Sequence, residues 1–174
     1  MNLQLLLPEI YLFGGASLFL MIDVFLRKKF SNINYVNHLV SLLICTLALL
    51  AISQNFTLET TAFNEMIKVN FFTSYIKSFI ILILTAVLLF AVNFVIIESK
   101  ISAEFMALIF LATIGGMLMI SANDFLLFYL ALELQALSLY VLAAINRKSY
   151  KSAEAGVKYF VLGSLADRKS TRLN

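Results

Sequence analysis

Long, nearly continuous apolar runs alternate with short polar clusters along the chain. A bilayer hydrocarbon core about 30 Å thick is crossed by roughly 20 apolar residues in a helix. Five runs are long enough: about Leu5 to Leu26, Val36 to Ile52, Phe72 to Ile97, Ile101 to Ile120 and Asp124 to Ile145. A sixth starts near Ser152 and is cut short after Ala166, where the sequence turns polar and basic. Its apolar part, about 14 residues or about 21 Å of helix, is too short to span comfortably. The pattern predicts an all-α membrane protein, a polytopic helical bundle of five transmembrane helices plus a truncated sixth.

The polar clusters set a direction. Arg27, Lys28 and Lys29 follow the first run, whereas a signal peptide carries its positive charge before the apolar stretch. The positive-inside rule therefore places the N-terminus outside. Residues 27–35, 98–100 and 146–151 are then inner loops, holding also Lys100, Arg147, Lys148 and Lys151. The outer loops are 53–71 and 121–123, and the first holds Lys68 beside Glu59 and Glu65. That loop is Thr-rich and partly alternating, which fits a short outer β-hairpin. Asn55-Phe56-Thr57 matches a glycosylation sequon, a triplet common by chance. Ala112, Gly115 and Gly116 on the fourth run are small, as close packing of membrane helices requires.

Composition strengthens this reading. The chain is 61% hydrophobic and 13% charged, against about 25% charged in a soluble domain. Its net charge of +3 is small and comes without a basic run that would suggest nucleic-acid binding, so no nucleic-acid partner is expected. One cysteine, Cys45, cannot form an internal disulfide or a metal cage, and is expected to be a small buried apolar residue. One histidine, His38, lies where a polar segment turns apolar and is expected at the interface. No CxxC, GxGxxG or pair of axial histidines suggests a redox cofactor.

The candidate chemistry lies in charges within apolar runs. An ionised side chain at mid-membrane costs at least about 2.5–3.5 kcal/mol. Glu133 is in the middle of the fifth run, roughly 14–18 Å from either surface, too deep to snorkel. It must face a protein interior or hydrated cavity, or be protonated. Burial disfavours the charged form, so such a carboxylate suits proton exchange; the bland reading is a buried Glu that fixes packing. Tyr129 and Tyr140 project within about 40° of it, whereas Gln135 points nearly the opposite way and Ser138 to the side. Lys158 is roughly 9 Å into the sixth helix, within snorkelling reach, with Glu154 at i−4 as a partner. Its functional reading is a basic group on an ion path. Lys77 reads as an interfacial anchor beside Tyr75. Pro8 and Glu9 read as first-turn residues of the first helix.

S-A-N-D-F-L-L-F-Y-L-A-L-E-L-Q-A-L-S-L-Y-V-L-A-A, followed by R-K-S-Y-K-S-A-E-A-G-V-K-Y-F-V-L-G-S, resembles subunit 2 of respiratory complex I. This is the N-type antiporter-like subunit of the proton-pumping NADH:quinone oxidoreductase. The start, L-L-P-E-I-Y-L, and the helix positions are also similar, from about residue 5 to Leu165. The resemblance implies a membrane-arm subunit with a line of buried charges and no redox centre of its own. Within such a complex, NADH, FMN, iron–sulfur clusters and ubiquinone belong to other subunits. Quinone reduction elsewhere drives proton movement through this one. Glu133 matches a fifth-helix carboxylate that pairs with a seventh-helix lysine, and Lys158 matches a lysine near the start of the sixth helix.

The resemblance also implies further helices after the sixth. Residues 1–166 are thus expected to be the N-terminal part of an antiporter-like proton-translocating domain. Residues 167–174 are expected to be a tail foreign to the family, from truncation, a misjoined frame or an exon boundary. A split subunit, with a second chain carrying the missing helices, is the alternative. Expected partners are the lipid bilayer and the other membrane-arm subunits. Two other readings share the same residues: a subunit of an Mrp-type sodium/proton antiporter or membrane-bound hydrogenase, and a non-pumping structural fragment whose buried charges only fix packing. The composition suits a mitochondrial inner membrane, with a bacterial plasma membrane as the alternative.

Overall fold

A computed structural model describes residues 3–26, 33–56, 59–98, 103–146 and 149–171. A 3-10 turn, Leu3–Leu6, leads into α1 (Leu7–Leu26), followed by α2 (Ile33–Asn55). A hairpin of β1 (Thr60–Ala62) and β2 (Ile67–Val69) precedes α3 (Phe71–Glu98), α4 (Ala103–Ser121), α5 (Phe125–Ala143) and α6 (Tyr150–Thr171). Each apolar run is a helix, and the hairpin lies within the predicted 53–71 segment. The loop cations Arg27, Lys28, Lys29, Lys100, Arg147 and Lys148 lie outside the described residues.

The boundaries differ where polar residues are helical. α2 keeps Ser53, Gln54 and Asn55, because a nucleated helix propagates through residues that lipid would reject. α6 starts at Tyr150 rather than Ser152, since Ser149 caps it: its hydroxyl accepts from Ser152 N and its carbonyl from Ala153 N. Nor does the helix stop after Ala166; it runs to Thr171, and 167–171 contains no Gly or Pro to break it. Helix and membrane span are therefore different lengths here. Among the described residues, four helices are long and apolar enough to cross a membrane: α2, α3, α4 and α5. The apolar stretch of α1 is shorter, Leu7–Ile22.

α4 lies between α1 and α5 and also touches α2 and α3. The core joins the first four helices: Leu12 and Phe19, Cys45 and Ile52, Ile81 and Leu88, Phe110 and Met117 are buried. Phe19 meets Phe110 edge to face, with centroids 5.3 Å apart. Cys45 is fully buried, as its apolar setting predicts. The predicted small-residue contact is present: a Cβ on Gly115 would be 2.8 Å from the Ala131 carbonyl oxygen and from Gln135 N. α4 and α5 meet almost backbone to backbone there. Large apolar side chains cover the outside, with Phe90, Phe125 and Leu162 well exposed, as lipid rather than water favours. The chain is a multi-pass helical membrane protein.

The hairpin pairs Thr60 with Val69 and Ala62 with Ile67. Its tip, Phe63, Asn64 and Glu65, has three successive residues at positive φ (56°, 53° and 67°). Other bonds brace it. Ile67 bridges Ala122, Asn123 N donates to the Met66 carbonyl at 2.8 Å, and Asn123 Nδ2 donates to the Glu65 carbonyl at 2.8 Å. Leu5, Ala62, Ile67 and Val69 form a small buried cluster beneath it. Asn70 and Thr73 exchange reciprocal bonds of 2.9 Å between side chain and backbone N–H, closing the first turn of α3. The starts of α1, α3 and α5 thus meet at the hairpin end.

Candidate functional site

Glu133 is halfway along α5, about 12 Å from the Phe125 end and about 15 Å from the Ala143 end. It is half-buried. Ala131 and Ser138 are buried on the α4 side, and Gln135 packs on Gly115 and Gly116. At 100° per residue, Glu133 is on the opposite face with Leu126, Leu130 and Leu137, all exposed. Among the described residues, no hydrogen bond or ion pair reaches its carboxylate. The carboxylate thus points away from the bundle made by these helices.

Lys158 is placed differently. Its Nζ is 2.5 Å from Glu154 Oε1, the i−4 pair that the spacing predicts, and its side chain is 68% exposed. Gly156 and Gly163 face α5, on the opposite side of α6 from Lys158: a Cβ on Gly156 would press on Ala144, and one on Gly163 would overlap the Tyr140 ring. The structure does not bring Glu133 and Lys158 together. Tyr140 joins the two helices instead, stacked parallel to Tyr159 at 6.5 Å and edge-on to Phe160. A cleft of about 650 Å³ opens beside it, lined by Leu108, Leu137, Val157 and Phe160, with Glu104 its one charged residue. Leu137, one turn after Glu133, lines the cleft, and Glu133 itself does not.

The buried charges are elsewhere. Lys77 Nζ donates to Glu9 Oε1 at 2.6 Å, tying α3 to α1, with Lys77 3% and Glu9 5% exposed. Glu9 Oε2 is buried with no partner. This corrects the interfacial-anchor reading of Lys77, whose ammonium is held inside by a carboxylate; Glu9 is in the first turn of α1, as read, and its charge is matched there by Lys77. A signal for the pair was present. Alternating topology places Glu9 and Lys77 at the same end of their helices, at similar depth and with opposite charge. His38 is likewise buried rather than interfacial; its Nε2 donates to the Leu88 carbonyl oxygen at 2.8 Å, which satisfies the ring inside the bundle.

Comparison with known proteins gives these placements a frame. A family model described as "NADH:quinone oxidoreductase/Mrp antiporter, TM" matches residues 122–169. That segment holds α5 and nearly all of α6, with Glu133 and Lys158. NADH-quinone oxidoreductase subunit N of Maricaulis maris is 39% identical over 165 residues, 95% of this chain and 34% of the relative. The same subunit of Parvibaculum lavamentivorans is 41% identical over 160 residues, 92% of this chain and 32% of the relative. Over nearly its whole length the chain is similar to the N-type subunits of NADH-quinone oxidoreductase. It spans about a third of the length of the curated relatives it matches. The subunit N of Paramagnetospirillum magneticum repeats the relation, 38% identical over 95% of the chain and 34% of the relative. Among the described residues the Glu133 face of α5 is uncovered, and the Glu9–Lys77 pair lies outside residues 122–169.

Proposed function

We propose that the chain is part of a membrane-arm subunit of a proton-translocating NADH:quinone oxidoreductase, with Glu133 and Lys158 as proton-relay groups. The observation that carries this is the Glu133 carboxylate, halfway along an apolar helix within the antiporter-like segment and without a partner among the described residues. A carboxylate kept in that position is costly unless its charge is used or matched. Its exposed face, with Leu126, Leu130 and Leu137, offers a surface for further helices, from the same subunit or from a second chain, that would bring a basic partner. Lys158, held by Glu154, would pass the proton along the same arm. Electron transfer from NADH to quinone, with its flavin and iron–sulfur centres, would belong to other subunits.

The proposed topology is five spans and a sixth helix of shorter apolar length, N-terminus outside and hairpin end on the outer face. The bacterial relatives favour a bacterial plasma membrane over the mitochondrial inner membrane. The test is the assembled complex in proteoliposomes carrying Glu133→Gln. Gln keeps hydrogen bonding and loses ionisation. Proton translocation per electron pair is expected to fall severalfold with assembly intact; normal pumping in an assembled variant would sink the relay role. An Mrp-type antiporter subunit is the second reading, favoured by the matched family model, whose description includes both systems. Neighbouring genes for redox subunits, rather than antiporter parts alone, separate the two.

A further inference from the structure

We propose that the Glu9–Lys77 pair is a second proton-exchanging site, built between the hairpin ends of α1 and α3, with a water molecule on the free oxygen of Glu9. The pair is under-bonded. Lys77 Nζ gives one hydrogen bond to Glu9 Oε1 at 2.6 Å, and the buried Oε2 has no partner. An ammonium has three donors and a carboxylate about four acceptor positions, so most of the pair's bonding capacity is unmet by protein. Buried ion pairs persist only when those remaining positions are satisfied, and ordered water is the usual way. The ligand class follows from charge: Lys77 repels a metal cation, Glu9 repels an anion, and water with an exchangeable proton suits both.

Placement supports exchange. Glu9 is in the first turn of α1, and Lys77 is about 9 Å from the start of α3. Helical side chains lean toward the N-terminus, so Lys77 leans toward the hairpin end. Thr73 and Ser74, one turn before Lys77, are also buried, which adds polar atoms to that part of the helix. Of the other titratable groups at this end, Tyr11, Glu59, Glu65, Lys68 and Tyr75 are exposed, and Asp124 is half-buried where it caps α5. Glu9 and Lys77 are the buried carboxylate and amine among the described residues.

The proton balance closes. A proton arriving through water bonds to Oε2, and the pair gains one positive charge. Lys77, now beside a neutral acid, releases a proton from Nζ to water, and the pair returns to net zero. Transfer of the acid proton to the amine restores the ion pair. One proton enters, one leaves, and no electrons move. The site stands on side-chain geometry and does not rest on membership of an electron-transfer complex.

The test uses the full chain in lipid nanodiscs with Glu133→Gln as background. Infrared difference spectra between acidic and alkaline samples are recorded in H2O and D2O. A buried carboxylic-acid band that shifts in D2O and is wholly lost on adding Glu9→Gln supports the site. Where that variant misfolds, Glu9→Gln with Lys77→Gln keeps a hydrogen bond between α1 and α3 and removes both ionisable groups; the same loss is expected. Spectra identical with and without Glu9 would mean a permanently ionised tie between two helices, and would overturn the proposal. Neither outcome depends on coupled pumping, so the complex I reading and this site fail separately.

Discussion

Glu133 and Glu9 are the same residue type in apolar helices, with opposite surroundings. Glu9 is buried and charge-matched at 2.6 Å; Glu133 is half-buried and unmatched among the described residues. Removing one member of a buried pair leaves an uncompensated charge, which costs about 3–5 kcal/mol. Lys77→Met is therefore expected to destabilise the bundle by about that much, read by denaturant unfolding in micelles. The double change Glu9→Gln with Lys77→Gln is expected to cost clearly less. Equal losses would mean that the charges contribute nothing beyond their shape. Glu133→Gln is expected to leave stability within about 0.5 kcal/mol, because no described partner is lost. Sequence spacing exposed Glu133, since one carboxylate among Leu and Ala is conspicuous. Spacing did not show Glu9–Lys77: alternating topology puts both at one end, but residues 68 apart become neighbours only through the packing of α1 and α3.

At the scale of elements, the close approach of α4 to α5 sets where Glu133 points. A Cβ on Gly115 would meet backbone atoms of α5, which cannot move aside as a side-chain end can. Gly115→Ala is expected to cost about 1–3 kcal/mol by overpacking and to turn or displace α5. Gly14→Ala, where nothing lies within 4 Å, is the control, and is expected to be neutral or slightly stabilising through helix propensity. Comparable losses at both positions would remove the argument for close packing at Gly115. The hairpin makes a parallel case. Glu65 sits at φ 67°, a conformation that costs an L-residue about 1–2 kcal/mol. Glu65→Gly is expected to raise the hairpin's protection from hydrogen exchange, provided that the Asn123 brace to Met66 and Glu65 remains. The hairpin was legible in the Thr-rich alternation. Its docking on the α4–α5 connection was not, because that needs Ala122 and Asn123 brought beside it by the helices.

At the scale of the molecule, the four helices among the described residues that are long and apolar enough to span, with the exposed Phe and Leu side chains, put lipid, or other protein, around the bundle. The proposed orientation makes a direct prediction. Lys68→Cys, with Cys45→Ala to remove the buried thiol, is expected to react with a membrane-impermeant maleimide from outside intact cells. Reaction only after lysis would invert the topology. The uncovered face of α5 makes another. Leu130→Cys is expected to be shielded from a lipid-soluble maleimide in the assembled complex and reactive in the isolated chain. Equal reactivity would mean that no helix covers the Glu133 face.

The sequence by itself determined the class of the molecule: apolar runs of membrane length, the placement of each helix, the hairpin, the small-residue contact and the mid-helix Glu133. Each of these is a local property, set by side-chain solvation and helix or strand geometry within one stretch of chain. Tertiary structure alone decided which charges are matched. It brought Glu9 to Lys77, buried His38 against Leu88, and turned Lys158 away from Glu133. Pairing of that kind depends on rotation and contact between helices, and a nearly uniform apolar surface leaves those unspecified until the helices pack.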